Sequence, residues 1–164
     1  MKYITLNNKE KTKLDDEDYI KFGLYKWTSS KDKSGDTRQV RRINLGYKKS
    51  KMVQLHRVIM KAKKGQIVDH INRDTLDNRK INLRICNKSQ NGMNRPANKN
   101  SKSGIKGVSW CVRDNRWTAH ISKKIDGKCK QMSLGNFKIK EEAVSAYNKA
   151  AKELFGEFAF INKL

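Results

Sequence analysis

Residues 92–104 run Gly-Met-Asn-Arg-Pro-Ala-Asn-Lys-Asn-Ser-Lys-Ser-Gly, with the only proline of the sequence and no large aliphatic residue. Such a stretch has nothing to bury and is dense in turn formers, so it reads as a linker. In a chain of 164 residues a linker there leaves two small domains. The expected division is a domain over 1–95, a linker over 96–103 and a second domain over 104–164.

Both domains must fold against strong self-repulsion. Lys and Arg number 38 against 16 acidic residues, a formal charge of +22 and a pI near 10.1. A polyanionic partner is the natural explanation, and DNA, RNA and an anionic membrane are the candidates. No apolar run approaches the ~20 residues that a spanning helix needs. The first residues, MKYITLNNKEK, hold no apolar signal-peptide core. A soluble, cytoplasmic, unsecreted protein is expected. Hydrophobic content of 36%, with Trp27, Trp110 and Trp117 inside patterned segments, argues against disorder. Cys86, Cys111 and Cys129 are scattered and form no CxxC pair, so neither a disulfide framework nor a zinc knuckle is supported.

The first fifty residues read as mostly strand with one short helix. Tyr3 to Leu6 has strand character. Asp15 to Asp18 puts carboxylates at a helix start, where the helix dipole favours them, with Tyr19, Phe22 and Leu24 as its buried side. Lys26 to Ser29 and Val40 to Leu45 read as strands, with a polar turn, Lys31 to Asp36, between them. Leu55, Val58 and Ile59 at i, i+3, i+4 predict a short amphipathic helix over 54–61. Ile67-Val68 begins a strand running into Asp69-His70. A polar loop spans Asn72 to Arg79, and Ile81, Leu83 and Ile85 alternate as a half-buried strand. A helix begins over 88–94.

Beyond the linker the pattern is three strands and a helix. Gly107 to Trp110 opens the first strand and Arg116 to Ser122 makes the second. Asp126-Gly127 signals a hairpin turn, and Cys129 to Leu134 is the third strand, stopped by Gly135. Glu141 and Glu142 open a helix whose apolar face is Ala143, Ala146, Tyr147, Ala150, Leu154 and Phe155, with Gly156 as its C-cap.

The chemistry-bearing stretch is 68–94. A solitary His is more often structural than catalytic, and Asn is common in loops for turn reasons. Order is more specific than any single residue. A strand ends in Asp69-His70, a loop follows, a second strand carries Asn82, and a helix begins near Asn91. Leu55-His56-Arg57, Val68-Asp69-His70-Ile71-Asn72, Leu76-Asp77-Asn78-Arg79, Asn82-Leu83-Arg84 and Ser89-Gln90-Asn91 together resemble the phage-type HNH homing endonucleases, the ββα-metal nucleases. The resemblance is tight over 53–94 and looser over the strand-rich lead-in.

Hydrolysing a phosphodiester needs an activated water and relief of charge on the phosphate and the leaving oxygen. A hard divalent cation supplies the second and prefers oxygen ligands. The resemblance implies that Asp69 and Asn91 hold one Mg²⁺ or Mn²⁺, and that His70 is the general base. An imidazole of ordinary pKa ~6.5 suits that role near neutral pH. Asn82 matches the middle Asn of the motif, which the family uses to tie the loop and orient the His. Asp69 and His70 are adjacent, so a regular strand points them to opposite faces, and their convergence requires a bend. His56 either contacts DNA or packs, and packing is the favoured reading. Arg57, Arg73, Arg79, Arg84 and Lys88 together form a cationic rim suited to phosphates.

Residues 104–162 resemble the AP2 DNA-binding domain. The matching pieces are Gly107-Val108, Trp117-Thr118-Ala119-His120-Ile121, Leu134-Gly135-Asn136-Phe137, Glu141-Glu142-Ala143, Ala146 to Ala151, and Gly156 with Ala159 and Asn162. The resemblance implies a three-stranded sheet on one helix, with the open sheet face entering the major groove. Arg113, Arg116, Trp117, His120, Ser122 and Lys124 are the candidate DNA-facing residues. Only one parity of each strand can face DNA, so some of these must pack instead; Trp110 and Trp117 are the obvious alternatives as core.

The expected architecture is α+β: a strand-rich N-terminal region with a ββα-metal core, a linker, and a three-stranded antiparallel sheet on one helix. The expected activity is metal-dependent cleavage of double-stranded DNA, with no membrane and no small-molecule substrate. Nicking and double-strand cutting both stay open, as does oligomeric state, a monomer included. The alternative is a DNA-binding regulator whose nuclease part is inactive.

Overall fold

The computed structural model describes residues 1–31, 37–44, 50–125 and 128–163. The expected turns at Ser34-Gly35 and Asp126-Gly127, and Leu45, lie outside them. The chain forms two compact units, Met1–Lys88 and Ser89–Leu164, and its architecture is α+β.

In the first unit β1 (Lys2–Thr5) and β2 (Lys11–Leu14) pair antiparallel and lead into α1 (Asp16–Phe22). Asp16, Glu17 and Asp18 occupy the first turn of α1, at the positive end of its dipole. A second sheet has the order β3 (Thr28–Lys31), β4 (Thr37–Asn44), β5 (Ser50–Gln54). The short α2 (Leu55–Ile59) follows, then the antiparallel pair β6 (Ile67–His70) and β7 (Leu83–Cys86). Ile4, Leu6, Leu14, Trp27, Leu55, Ile59, Val68 and Leu83 form one core, so the N-terminal strands and the β6–β7 pair are parts of one folded body. Trp27 keeps its indole N–H satisfied by donating to Phe22 O at 3.1 Å.

Two apolar residues depart from the sequence reading. Leu24 is 95% exposed, because α1 ends at Phe22 before Leu24 can join its buried side. Ile81 is 82% exposed, because Lys80–Asn82 forms a 3-10 turn and the strand begins only at Leu83. The alternation expected through Ile85 therefore fails. Leu83, Arg84 and Cys86 are the buried residues of β7, and Ile85 faces out. The helix α3 (Lys88–Met93) begins at the end of the first unit and runs into the second.

The second unit is a three-stranded antiparallel sheet of order β10 (Lys128–Phe137), β9 (Arg116–Ile125), β8 (Val108–Cys111), with α4 (Lys140–Phe155) packed on it. Val108, Ala119, Ile121, Ala143, Val144, Tyr147, Ala151 and Phe155 make its core. Gly135 does not stop the third strand. The register shifts between Ser133 and Gly135, a bulge absorbs the extra residue, and β10 continues to Phe137. Gly107 has φ +71, and a Cβ there would fall on the Tyr147 ring and 2.5 Å from His120 O. Only glycine lets the chain pass this close to α4. Asn162 pins the C-terminal segment: it accepts from Lys106 N at 3.0 Å, donates to Lys106 O at 3.0 Å, and exchanges two backbone bonds with the Asn148 side chain.

Candidate active site and nucleic-acid face

β2 is the clamp of the site. Its outer edge meets the polar loop after β6: Lys13 N donates to Leu76 O at 2.7 Å, and Asn78 N donates to Lys13 O at 2.9 Å. Lys80 N then donates to Asp15 Oδ2 at 2.8 Å. Inside the loop, Asn72 Oδ1 accepts from Asp74 N and Asp74 Oδ1 accepts from Leu76 N, two side-chain-stabilised turns in succession. Asn82 closes the loop from the far side, accepting from Asn72 N at 3.0 Å and donating to Asp77 O at 2.8 Å. Asp77 is buried and takes both Nε and Nη2 of Arg79 at 2.7 and 2.6 Å. That guanidinium holds the Asp77 carboxyl below the usual carboxylate range.

β6 delivers Asp69 and His70 at its end. Strand alternation sends them to opposite faces, and the chain turns only after His70, where Arg73 N donates to His70 O at 2.9 Å. Asp69 sits across from Arg84 in the β6–β7 register. Arg84 Nε and Nη2 both reach Asp69 Oδ2, at 3.0 and 2.7 Å.

His70 is buried, and its Nε2 lies 3.2 Å from Asn78 Oδ1. Burial pulls its imidazole below the ordinary value, opposed by the Asn78 contact and by Asp69, Asp74 and Asp77. His56, on α2, packs edge-on to His70 with ring centres 5.3 Å apart. Burial, with His70, Arg38 and Arg57 adding to it, pushes the His56 imidazole down to about 3, so it is neutral at any physiological pH.

The sequence reading assigned loop tying and His orientation both to Asn82. The loop tie is present, but the side chain bonded to His70 Nε2 is that of Asn78. Asn78 is in turn bonded to Thr12 and Gln39, both fully buried. These three residues were not singled out from sequence. Asn78 lies in a motif segment, but nothing local marks Thr12 or Gln39.

The expected open cationic rim needs correction. Arg84 is buried against Asp69, because it is the charge partner of the strand beside it. Arg57 is half-buried and donates to the backbone carbonyls of Gln66 and Lys63, bracing its own loop. Arg79 is engaged with Asp77. Arg73 and Lys88 are exposed.

Among the described residues no group of three or more His, Cys, Asp or Glu gathers that could hold a metal ion. The donors that are present are hard oxygens, and Asp69 is oriented by a charged hydrogen-bond donor behind it, as ligating carboxylates commonly are. Asn91, on α3, is half-buried and belongs to the second unit.

In the second unit the parity of β9 is decided by burial. Ala119 and Ile121 face α4, so Arg116, Thr118, His120, Ser122 and Lys124 lie on the opposite face. Trp117 shares the parity of Ala119. It packs against the core, edge-on to Trp110 at 5.2 Å, with Lys140 Nζ 5.6 Å from its ring centre. Its expected place on the open face is therefore corrected to the helix side. Arg113 is exposed in the β8–β9 turn, beside Asp114.

Residues 53–93 match the family model of the HNH endonuclease, and residues 103–157 match that of the AP2 domain. Over 118 residues, 68% of the chain, the sequence is 35% identical to an uncharacterized HNH endonuclease, L560, of Acanthamoeba polyphaga mimivirus. Over 98 residues, 58% of the chain, it is 31% identical to Protein 3.8 of Escherichia phage T7. The matched region spans 58% of the mimivirus protein, less than two thirds of its length, and 75% of the phage protein.

Proposed function

The chain belongs to the HNH endonuclease family and carries an AP2 domain, and on that premise we propose that it is a metal-dependent, homing-type endonuclease that hydrolyses phosphodiester bonds in double-stranded DNA. The nuclease domain is residues 1–95, the linker 96–103, and the AP2-like domain 104–164 aids target recognition. The observation that carries this reading is a buried His70 held by a side-chain hydrogen bond, one residue from an oriented carboxylate, Asp69.

In this reading His70 takes the proton from the attacking water. Its lowered basicity keeps it unprotonated and ready to accept near neutral pH. Asn82, by tying Asn72 to Asp77, keeps the loop beyond His70 in one conformation. Asp69 and Asn91 are the residues that would hold one Mg²⁺ or Mn²⁺, which when bound supplies charge neutralisation at the phosphate and the leaving oxygen. Arg73 and Lys88 supply exposed charge for phosphates, and the β9 face with Arg116, His120, Ser122 and Lys124, and Arg113 beside it, meets the DNA groove. One site per chain suits nicking, or cutting of both strands through a dimer. Such a protein works in the cytoplasm of a host cell.

The test is cleavage of supercoiled plasmid with Mg²⁺ or Mn²⁺ and with EDTA. EDTA should abolish cutting. His70→Ala should lower it by roughly 10²–10⁴-fold while DNA binding persists. Undiminished cutting by His70→Ala removes His70 as the base. Tight DNA binding by the natural protein, with no cutting under any divalent ion, leaves a passive regulator instead.

A further inference from the structure

We propose that Lys106 is a positioning residue for the nuclease reaction: from within the AP2 match it fastens the end of α3, the helix that carries Asn91, so that the second unit builds one element of the nuclease motif as well as meeting DNA. This rests on the reading of Asn91 as a metal-holding residue and specifies which part of the chain keeps its helix in place.

The family matches and the folded units divide the chain at different points. The HNH match ends at residue 93, whereas the second unit begins at Ser89. The last residues of the nuclease motif, 89–93, therefore fold with the AP2 domain. A helix of six residues does not stand alone in water, so α3 needs tertiary support. Met93 supplies some of it by packing against the core of the second unit. Asn94, just beyond the helix, is buried. Ser89, Gly92 and Met93 line a cavity of about 270 Å³ together with His120, Ser122 and Lys124 of β9. No residue of α3 is itself fully buried, so apolar packing alone holds it weakly.

The firmest hold is at its C-terminus. A helix leaves its last carbonyls without partners inside it, and a cation there also meets the negative end of the dipole. Lys106 Nζ donates to Met93 O at 2.6 Å and to Arg95 O at 2.7 Å. One ammonium thus closes off the end of α3 and the first residues after it. It lies 5.5 Å from the centre of the Phe160 ring.

Lys106 cannot drift with its load. The Asn162 side chain takes both its backbone N–H and its C=O, and Asn162 is held in turn by Asn148 on α4. A line of hydrogen bonds runs from α4 through Asn148, Asn162 and Lys106 to the end of α3. Lys106 touches no reacting atom in this account. It acts through the helix.

The experiment compares the full chain with Lys106→Met, Lys106→Arg and Lys102→Met. Methionine keeps an unbranched stem but has no hydrogen to give, and arginine keeps donors for both carbonyls. Lys102→Met is the control, removing the same charge from an exposed position nearby. Hydrogen–deuterium exchange is read by mass spectrometry without DNA or metal. In Lys106→Met it should quicken about 10-fold at residues 89–95 and stay unchanged in α4. Plasmid cleavage with Mg²⁺ should lose about 10-fold in kcat at unchanged KM for DNA. Lys106→Arg should recover most of both, and Lys102→Met should match the natural protein in both. Unchanged exchange at 89–95 in Lys106→Met overturns the inference. Equal quickening in α4 also overturns it, because Lys106 would then be a prop of the whole unit. Faster exchange with undiminished cutting overturns it as well. The reading of Asn91 fails separately: an Asn91→Ala variant that cuts like the natural protein removes Asn91 as a metal holder, whatever the exchange at 89–95.

Discussion

Replacing Gly107 with alanine should unfold the second unit far below its natural melting temperature, and Gly104 supplies the matched control. Both glycines sit at positive φ, +71 and +66. Each alanine therefore suffers the same backbone strain, about 1 kcal/mol. Only the surroundings differ. Nothing lies within 4 Å of a Cβ built on Gly104. A Cβ on Gly107 lands on ring carbons Cδ2 and Cε2 of Tyr147 and 2.5 Å from His120 O. Tyr147 is buried in the core, and His120 is paired to Ser133 across the sheet, so neither partner can move away freely. Overpacking of that kind adds about 2–3 kcal/mol. The total is about 3–4 kcal/mol for Gly107→Ala against about 1 kcal/mol for Gly104→Ala. For a unit of this size each kcal/mol moves melting by about 4–8 °C, so the two variants should lose roughly 12–30 °C and 4–8 °C. Scanning calorimetry on the full chain measures both. If the two variants melt within a few degrees of each other, the Tyr147 ring and the strand yield to the methyl group and the steric argument is wrong. DNA affinity should drop in Gly107→Ala at temperatures where Gly104→Ala still binds.

Three further perturbations probe other parts of the molecule. Arg84→Met removes the buried cation paired with Asp69 and should cost about 3 kcal/mol, with Mg²⁺ recovering more stability in the variant than in the natural protein; urea unfolding with and without Mg²⁺ checks both, and an unchanged midpoint contradicts the pairing. The His56 imidazole is pushed down to about 3 in the folded chain, against about 6.5 unfolded, so the unfolded state takes up the proton first. Its stabilisation is complete above about pH 6.5 and is lost as pH falls toward about 3, and His70 acts in the same direction. His56→Phe should flatten the fall in urea midpoint between about pH 7 and about pH 5, and an equally steep fall in the variant would rule the ring out as its source. Lys124→Ala should reduce the slope of log affinity against log salt by about 1, whereas an unaltered slope takes Lys124 out of the phosphate footprint.

The sequence carried the order of elements well where local pattern decides them. The apolar spacing of Leu55 and Ile59, the run into Asp69-His70, and the alternating Ala119 and Ile121 all describe what the chain does. It failed where neighbours far along the chain decide. Thr12 and Gln39 are 66 and 39 positions from Asn78, and each alone looks like an ordinary polar strand residue. Arg84 looked like surface charge because arginine usually is; its partner is visible only once the β6–β7 register puts Asp69 beside it. Trp117 could be placed on either side of β9 until burial of Ala119 set the parity. Leu24 and Ile81 were read as buried because they are apolar, while chain geometry left them in water.

The grip of β2 on the loop through Leu76 and Asn78 bears on how this chain can be shortened or recombined. A chimera that borrows only the stretch recognisable by motif would bring the imidazole and the acid but leave behind the threonine and glutamine that keep Asn78 in place. The motif would be whole in sequence and loose in solution. The smallest transplantable piece therefore begins no later than the strand that carries Thr12.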